Sequence, residues 1–317
     1  MPLPTDVPRN HLKAENLVAT PAQTLSVKHA MTVDVEDYFH VSAFAKVIAP
    51  SQWDKWPTTV ERNTRRLLDL FDEHAIKATF FVLGWVAERN PKLIREITAR
   101  GHEIASHGFT HQLVYKQTPE QFRSETRDSK KLLEDITQQP ILGYRAASYS
   151  ITQNSLWALD ILAELGFSWD SSIFPVYHDR YGIPNSPTTP YRLQTPNGSV
   201  LTEFPLTTAK LFGYQMPAAG GGYFRLYPYA LSRALFRRAT QNNRSPAIFY
   251  LHPWEIDAEQ PRVEGASLLS RFRHYNNLEK CLPRLQAMLR EFPFGTVSES
   301  LQAAAVNDTA PIPIAAA

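Results

Sequence analysis

Glu103-Ile104-Ala105-Ser106-His107-Gly108-Phe109-Thr110-His111 opens as a short, mostly apolar strand and ends in two histidines four residues apart. A buried strand that gives way to a turn carrying reactive side chains is what a parallel α/β architecture produces, because functional residues there collect at the C-terminal ends of strands. Histidines at i and i+4 also share one face of a helical turn, where two neutral imidazoles can hold one metal ion. Gly108 between them lets the backbone tighten. The same spacing arises by chance between solvated surface histidines, so the pair takes its meaning from the rest of the chain.

Upstream, Pro91 to Arg100 has proline at its start and Gly101 just past its end, the asymmetry of a helix. Ala78 to Leu83 is a strand, Val60, Thr64, Leu67, Leu68 and Phe71 form an amphipathic helical stripe, and Ser26 to Val35 is a first strand. Downstream come a helix over Pro119 to Ile136, a strand over Ile141 to Ala146, a helix over Asn154 to Leu165 closed by Gly166, and a strand over Phe167 to Asp170. This alternation predicts an α/β fold with about seven parallel strands, a (β/α) barrel rather than an open sheet. Asp34, His107, Arg145, Asp170 and His252 all fall at expected strand ends.

From Ser171 to Arg225 the alternation breaks into a Pro-, Gly- and Tyr-rich stretch, expected to be a loop-rich insertion of loops and short strands over the site. Gly220-Gly221-Gly222 lacks the G-K-[ST] of a phosphate loop and is expected to be a tight backbone passage. Ala247 to Leu251 is a further buried strand. A last helix carries Leu278, Cys281, Leu282, Leu285 and Leu289, and a final strand follows at Gly295 to Val297. The expected organisation is a loose arm over 1–27, one catalytic domain over 28–300 and a loose tail over 301–317.

At 317 residues and 43% hydrophobic, the chain can bury the core of one large domain. Its net charge of +2 comes without a block of like charges, which argues against a nucleic-acid partner. Cys281 is the sole cysteine, so no intrachain disulfide forms, and its leucine neighbours make it a core residue. The first residues carry Pro2, Pro4, Pro8 and Pro21 but no basic start with a sustained apolar core, and Ala78 to Ala87 is about half the ~20 residues a membrane helix needs. A cytoplasmic protein without a signal peptide or transmembrane segment is expected.

Two imidazoles, one carboxylate to complete a metal site and a second carboxylate free to take a proton make a water-activating set, and Asp34, Glu36 and Asp37 supply the carboxylates. Five segments, Thr32-Val33-Asp34-Val35-Glu36-Asp37, Ser106 to His111, Arg145 to Tyr149, Trp169-Asp170-Ser171 and Leu251-His252, stand in the order of the motifs of the NodB-homology polysaccharide deacetylases, carbohydrate esterase family four. The chain resembles that family from Ala30 to about Val297. Asp34-Val35-Glu36-Asp37-Tyr38-Phe39-His40 and Gly220-Gly221-Gly222-Tyr223-Phe224-Arg225 are similar to the subgroup beside exosortase-linked exopolysaccharide gene clusters. The resemblance implies a distorted barrel and removal of N-acetyl groups from amino sugars with a divalent metal, zinc above others. It also implies an amino-sugar polysaccharide or lipid-linked oligosaccharide as substrate, with polysaccharide-assembly proteins as partners. The family's adjacent Asp-Asp is replaced here by Asp34-Val35-Glu36-Asp37, and Ala146 and Ala147 stand where prolines commonly follow the arginine.

Period-two alternation puts Asp34 and Glu36 on one face, which assigns Asp34 as base and Glu36, with His107 and His111, as metal ligands; Asp37 is the substitute for Glu36. Arg145 would keep the base ionised. His252, at a strand end, is assigned as general acid, with Asp170 as the carboxylate that holds it charged. Tyr149, Tyr223 and Trp254 suit either core packing or sugar stacking. The alternatives are an allantoinase-like hydrolase of a small cyclic amide, a glycosidase using Asp34 and Glu36, which leaves the histidines without work, and a silent carbohydrate-binding module.

Overall fold

The computed structural model describes residues 28–178, 180–243, 245–304, 306 and 309–314. The arm expected over 1–27 lies outside the described residues. In chain order the strands are β1 (His29–Val35), β2 (Thr79–Val82), β3 (Glu103–Ser106), β4 (Gly143–Tyr144), β5 (Trp169–Asp170), β6 (Tyr191–Gln194), β7 (Val200–Glu203), β8 (Thr208–Leu211), β9 (Tyr214–Pro217), β10 (Ile248–Leu251), β11 (Phe294–Gly295) and β12 (Ile312–Pro313). The helices are α1 (Val60–Glu73), α2 (Gly84–Arg89), α3 (Pro91–Ala99), α4 (Pro119–Thr137), α5 (Trp157–Glu164), α6 (Gly221–Leu226), α7 (Tyr229–Asn243), α8 (Leu268–Tyr275), α9 (Leu278–Glu291) and α10 (Val297–Ala303).

β1 is buried along its whole length, as a central strand covered on both faces must be. Around it the order β10-β1-β2-β3-β4-β5-β7 runs parallel throughout, which gives the expected α/β sheet of about seven parallel strands. No ladder joins β7 to β10 among the described residues. Side-chain and backbone bonds span that gap instead. Thr207 Oγ1 donates to the Ile248 carbonyl and accepts from the Ile248 amide, both at 2.8 Å, and the Tyr250 amide donates to the Ala219 carbonyl at 2.7 Å. The parallel sheet therefore stays open as a ladder at one seam, bridged by these bonds.

The helical stripe read from Val60, Thr64, Leu67, Leu68 and Phe71 is the buried face of α1. Its first turn is capped from outside the helix: the Asp37 carboxylate accepts from the Thr59 amide (2.6 Å), the Thr59 hydroxyl (2.7 Å) and the Val60 amide (3.0 Å). Such a cap at the positive end of a helix contributes about 1 kcal/mol and fixes how β1 hands over to α1.

Three expectations differ from the structure. The stretch 171–225 is more than an insertion, because it contributes β7 to the parallel sheet, along with β6 antiparallel to it and the β8–β9 hairpin. The strand expected at Gly295 to Val297 is β11, which ends one residue before Thr296 caps α10 with the reciprocal Glu299 bond. The tail expected to be loose from 301 continues α10 to Ala303, and Ile312–Pro313 lies parallel to β6. The triple glycine is the tight passage its composition suggests. Gly220 and Gly221 have φ of +119° and +56°, and a Cβ on either would collide with Tyr250. Among the described residues no helix is long and apolar enough to cross a membrane.

Candidate active site

β1 delivers Asp34 and Glu36, and β3 delivers His107, to one end of the sheet. His111 joins them, but not through a helical turn as the i, i+4 spacing suggested. Residues 107–113 form no helix, and the chain doubles back through left-handed backbone at Gly108 (φ +75°) and His111 (φ +54°). One donor atom each from Glu36, His107 and His111 lies within 4.8 Å of the others, and all three side chains are nearly solvent-free. The arrangement fits a metal ion on chemical grounds. His107 Nδ1 faces the Arg145 carbonyl at 2.9 Å; a carbonyl only accepts, so Nδ1 carries the proton and Nε2 keeps its lone pair. Burial holds this imidazole at about 4, hence neutral. His111 Nε2 and Glu36 Oε2 are 2.8 Å apart, yet Oε2 is buried without an aligned hydrogen bond, as expected of two donors aimed at a shared cation. Burial alone would raise the Glu36 carboxyl, but the His111 and His252 imidazoles carry it below the usual carboxylate range.

Asp34 sits beside this set without belonging to it. Arg145, fully buried, donates from Nη1 to Asp34 Oδ1 at 2.6 Å and to Thr32 Oγ1 at 2.9 Å, while Nε and Nη2 donate to the carbonyl and hydroxyl of Ser171 at 3.2 and 3.1 Å. The guanidinium, packed 3.9 Å from the Phe81 ring centroid, cannot follow Asp34 if that side chain moves, so Asp34 is fixed as well as charge-balanced. Asp37, the substitute ligand, faces away and is consumed in capping α1. That takes it out of the donor set.

His252, at the end of β10, completes the constellation with Nε2 3.3 Å from Glu36 Oε1 and 3.9 Å from Asp34 Oδ2. Its other nitrogen is held by a residue that was not among the expected site residues. Glu255 Oε1 accepts from His252 Nδ1 (2.7 Å) and from the His252 amide (3.1 Å), and Glu255 Oε2 accepts from Arg225 Nε at 2.5 Å. Arg225 in turn donates to the carbonyls of Arg273, His274 and Asn276. Burial would lower the His252 imidazole; Glu36, Glu255 and Asp34 override it and raise it to about 9. The Glu255 carboxyl, against burial, is drawn to about 2 by Arg225 and His252. Glu255→Ala would strand a buried guanidinium, so we expect it to lower the unfolding free energy by about 3–5 kcal/mol in urea titration. A loss below about 1 kcal/mol would mean that Arg225 finds equivalent partners.

Asp170 does not take the role expected of it. It accepts from the Ser172 hydroxyl (2.6 Å) and amide (3.2 Å) and lies against Glu203 of β7, so Glu255 replaces it as the partner of His252. Two buried carboxyls in contact cannot both ionise. Burial, then the Asp170 charge, pushes Glu203 well above the carboxylate range, and burial lifts Asp170 to about 6. Because both are raised in the fold, the stability they lend is full below the unfolded carboxyl pKa of about 4 and falls as pH climbs through the folded values. Glu203→Gln, which stays neutral, is expected to flatten the decline of Tm between about pH 4 and 8. An unchanged slope would show that no proton is shared there.

A cavity of about 210 Å³ opens on Asp34, Glu36, His107, His111 and His252 and is bordered by Arg180 and Arg273. Of the three aromatics, Tyr149 borders this cavity edge-on to Tyr250. Tyr223 lies on an adjoining cavity of about 320 Å³, its hydroxyl 3.3 Å from that of Tyr181. Trp254 is stacked between His252 and His274 at 5.0 and 4.2 Å, and its Nε1 donates to Glu36 Oε1 at 3.4 Å. With both faces covered, Trp254 positions Glu36 and His252 and has no face left for a sugar.

Comparison with known proteins adds chemistry to this geometry. Residues 46–168 match the family described as polysaccharide deacetylase, and residues 171–302 match a domain of unknown function, DUF3473. His107, His111 and Arg145 lie in the first match; Arg225, His252 and Glu255 lie in the second. A chitooligosaccharide deacetylase of Bradyrhizobium sp. is 32% identical over 100 residues, which cover 32% of this chain and 43% of that protein. A peptidoglycan-N-acetylglucosamine deacetylase of Bacillus cereus is 33% identical over 79 residues, 25% of this chain and 37% of that protein. The chain thus spans less than half the length of these curated relatives. In fold it is similar to a Mycobacterium smegmatis protein provisionally described as a polysaccharide deacetylase, with a TM-score of 0.60 at 22% identity over 94% of this chain and 96% of that one.

Proposed function

We propose that this chain, whose residues 46–168 match the polysaccharide deacetylase family, removes N-acetyl groups from N-acetylhexosamine units of a polysaccharide or its precursor, in a metal-dependent hydrolysis that serves exopolysaccharide assembly. The observation that carries this reading is the convergence of Glu36, His107 and His111 with the Arg145-held Asp34 and with His252 on one cavity. Two imidazoles and one carboxylate suit zinc, and a divalent ion held by them would lower the pKa of water and polarise an acyl oxygen. Asp34, held in place by Arg145, takes the proton of the attacking water. His252, protonated at Nε2 and held through Nδ1 by Glu255, gives a proton to the departing amine nitrogen. Arg145 and Glu255 orient the two groups, so neither has to be ordered as reaction proceeds.

A two-carboxylate glycosidase fits less well. It needs one carboxyl raised and protonated as the acid, whereas Glu36 is driven the other way and is tied to His111. The adjoining second cavity suits an oligomer better than a small cyclic amide. Incubation of the protein with N-acetylglucosamine oligomers, with and without a chelator, separates the readings. Deacetylation predicts chelator-sensitive acetate release with no new reducing ends. Reducing ends without acetate would establish a glycosidase, and neither product a binding module or another amide as substrate.

A further inference from the structure

Helix α8 presents an unusual outer surface. Leu268, Leu269 and Phe272 are 83%, 58% and 56% exposed, three large apolar side chains on a helix of eight residues. At about 100° per residue they fill one arc of roughly 100°, with Arg271 at one border and Arg273 at the other. On the opposite side His274 is buried against Phe44 and Trp254, and beside the arc, between Leu268 and Arg271, Tyr275 donates toward the Pro261 carbonyl under the Arg262 guanidinium. Over residues 262–273 three arginines stand against one carboxylate, Glu264. Across the second cavity Leu226 is also exposed, and Leu269, Phe272 and Arg273 form one wall of that cavity, which adjoins the catalytic one.

A folded, anchored helix with an apolar arc flanked by arginines is the pattern of a helix that lies in the plane of a bilayer interface. Its basic borders select anionic lipid. Three side chains offer on the order of 500 Å², short of the roughly 800 Å² per partner that a stable protein interface needs, which disfavours a second copy as occupant. A soluble glycan has no use for so much exposed hydrocarbon. We propose that α8 seats this protein on an anionic membrane surface, with the mouth of the substrate groove at the lipid. The inference concerns membrane contact and stands apart from the reaction catalysed.

The test is co-sedimentation of the full chain with vesicles of phosphatidylcholine alone and with vesicles in which about a third is phosphatidylglycerol. Binding to the anionic vesicles only, weakened by added salt, is expected. Leu268→Ser with Arg271→Gln changes two exposed side chains that do not border either cavity, so the fold should be retained by circular dichroism. Partition of this variant should drop by about tenfold or more, with acetate release from soluble oligomers unchanged. No binding to anionic vesicles, equal binding to neutral ones or unaltered partition of the variant would overturn the proposal. So would a concentration-dependent dimer that this variant abolishes, since that would make the patch a protein interface. If the deacetylase reading itself failed, vesicle binding would still be read directly.

Discussion

His107→Ala and His111→Ala proteins are expected to retain the fold, to hold no divalent metal after dialysis, and to release acetate about 10³- to 10⁵-fold more slowly than the parent, as loss of several kcal/mol of charge stabilisation requires. The effect is large because the two imidazoles cannot substitute for each other. His107 is held by the Arg145 carbonyl with Nε2 as its only free nitrogen, and His111 owes its place to a left-handed backbone conformation that no neighbour can copy. Neither imidazole carries an ion pair needed elsewhere in the core, so circular dichroism should change little. Full metal content in either variant would remove that residue from the ligand set.

The second large effect is at His252. His252→Ala should keep its metal, because it leaves Glu36, His107 and His111 untouched, yet lose about 10²- to 10⁴-fold in kcat, the range of general acid–base help. The pH profile gives the sharper criterion. A group raised to about 9 stays protonated through neutral pH, so parent activity should fall only as pH rises toward and past that value. In the alanine variant this basic limb should disappear. Parent-like turnover, or a basic limb that survives the substitution, would assign protonation of the leaving nitrogen to something else.

How far the site was legible depends on distance along the chain. Asp34 and Glu36 follow an apolar run by one or two residues, and alternation along a strand was enough to put both on one side. Helical i, i+4 spacing grouped His107 with His111, although the geometry behind the pair is a turn through Gly108 and not a helix. Asp37 shows the limit, since only the fold reveals that it caps α1. The partner of His252 was misread for a related reason. Asp170 stands at a strand end, but β5 is two residues long and its neighbour β7 lies inside the Pro- and Gly-rich stretch read as an insertion and not as part of the parallel sheet, so the Glu203 contact was invisible. Glu255 carried a signal in His-Pro-Trp-Glu, where a carboxylate three residues on returns to cap the first residue. Arg225, thirty residues from Glu255 in sequence, entered only as the end of the Gly220 to Arg225 motif, with nothing to name its partner.

The strand pattern was more readily legible than the seam. Apolar runs mark β1, β2, β3 and β10, each buried throughout or nearly so, and all but β2 end at a functional residue. Strands as short as β4 and β5 have no periodicity to read, and the crossing of Thr207 and Ala219 to β10 depends on single hydrogen bonds between distant residues.

Hydrolysis is expected to depend on one metal ion held by Glu36, His107 and His111. Titrating zinc into metal-stripped protein, while following both bound metal and acetate release from N-acetylglucosamine oligomers, tests it most directly. Activity should rise linearly and reach its plateau at a single equivalent, and the Glu36→Ala protein should bind no metal and stay inactive. Full activity in the stripped protein, or unchanged stoichiometry in Glu36→Ala, would contradict it.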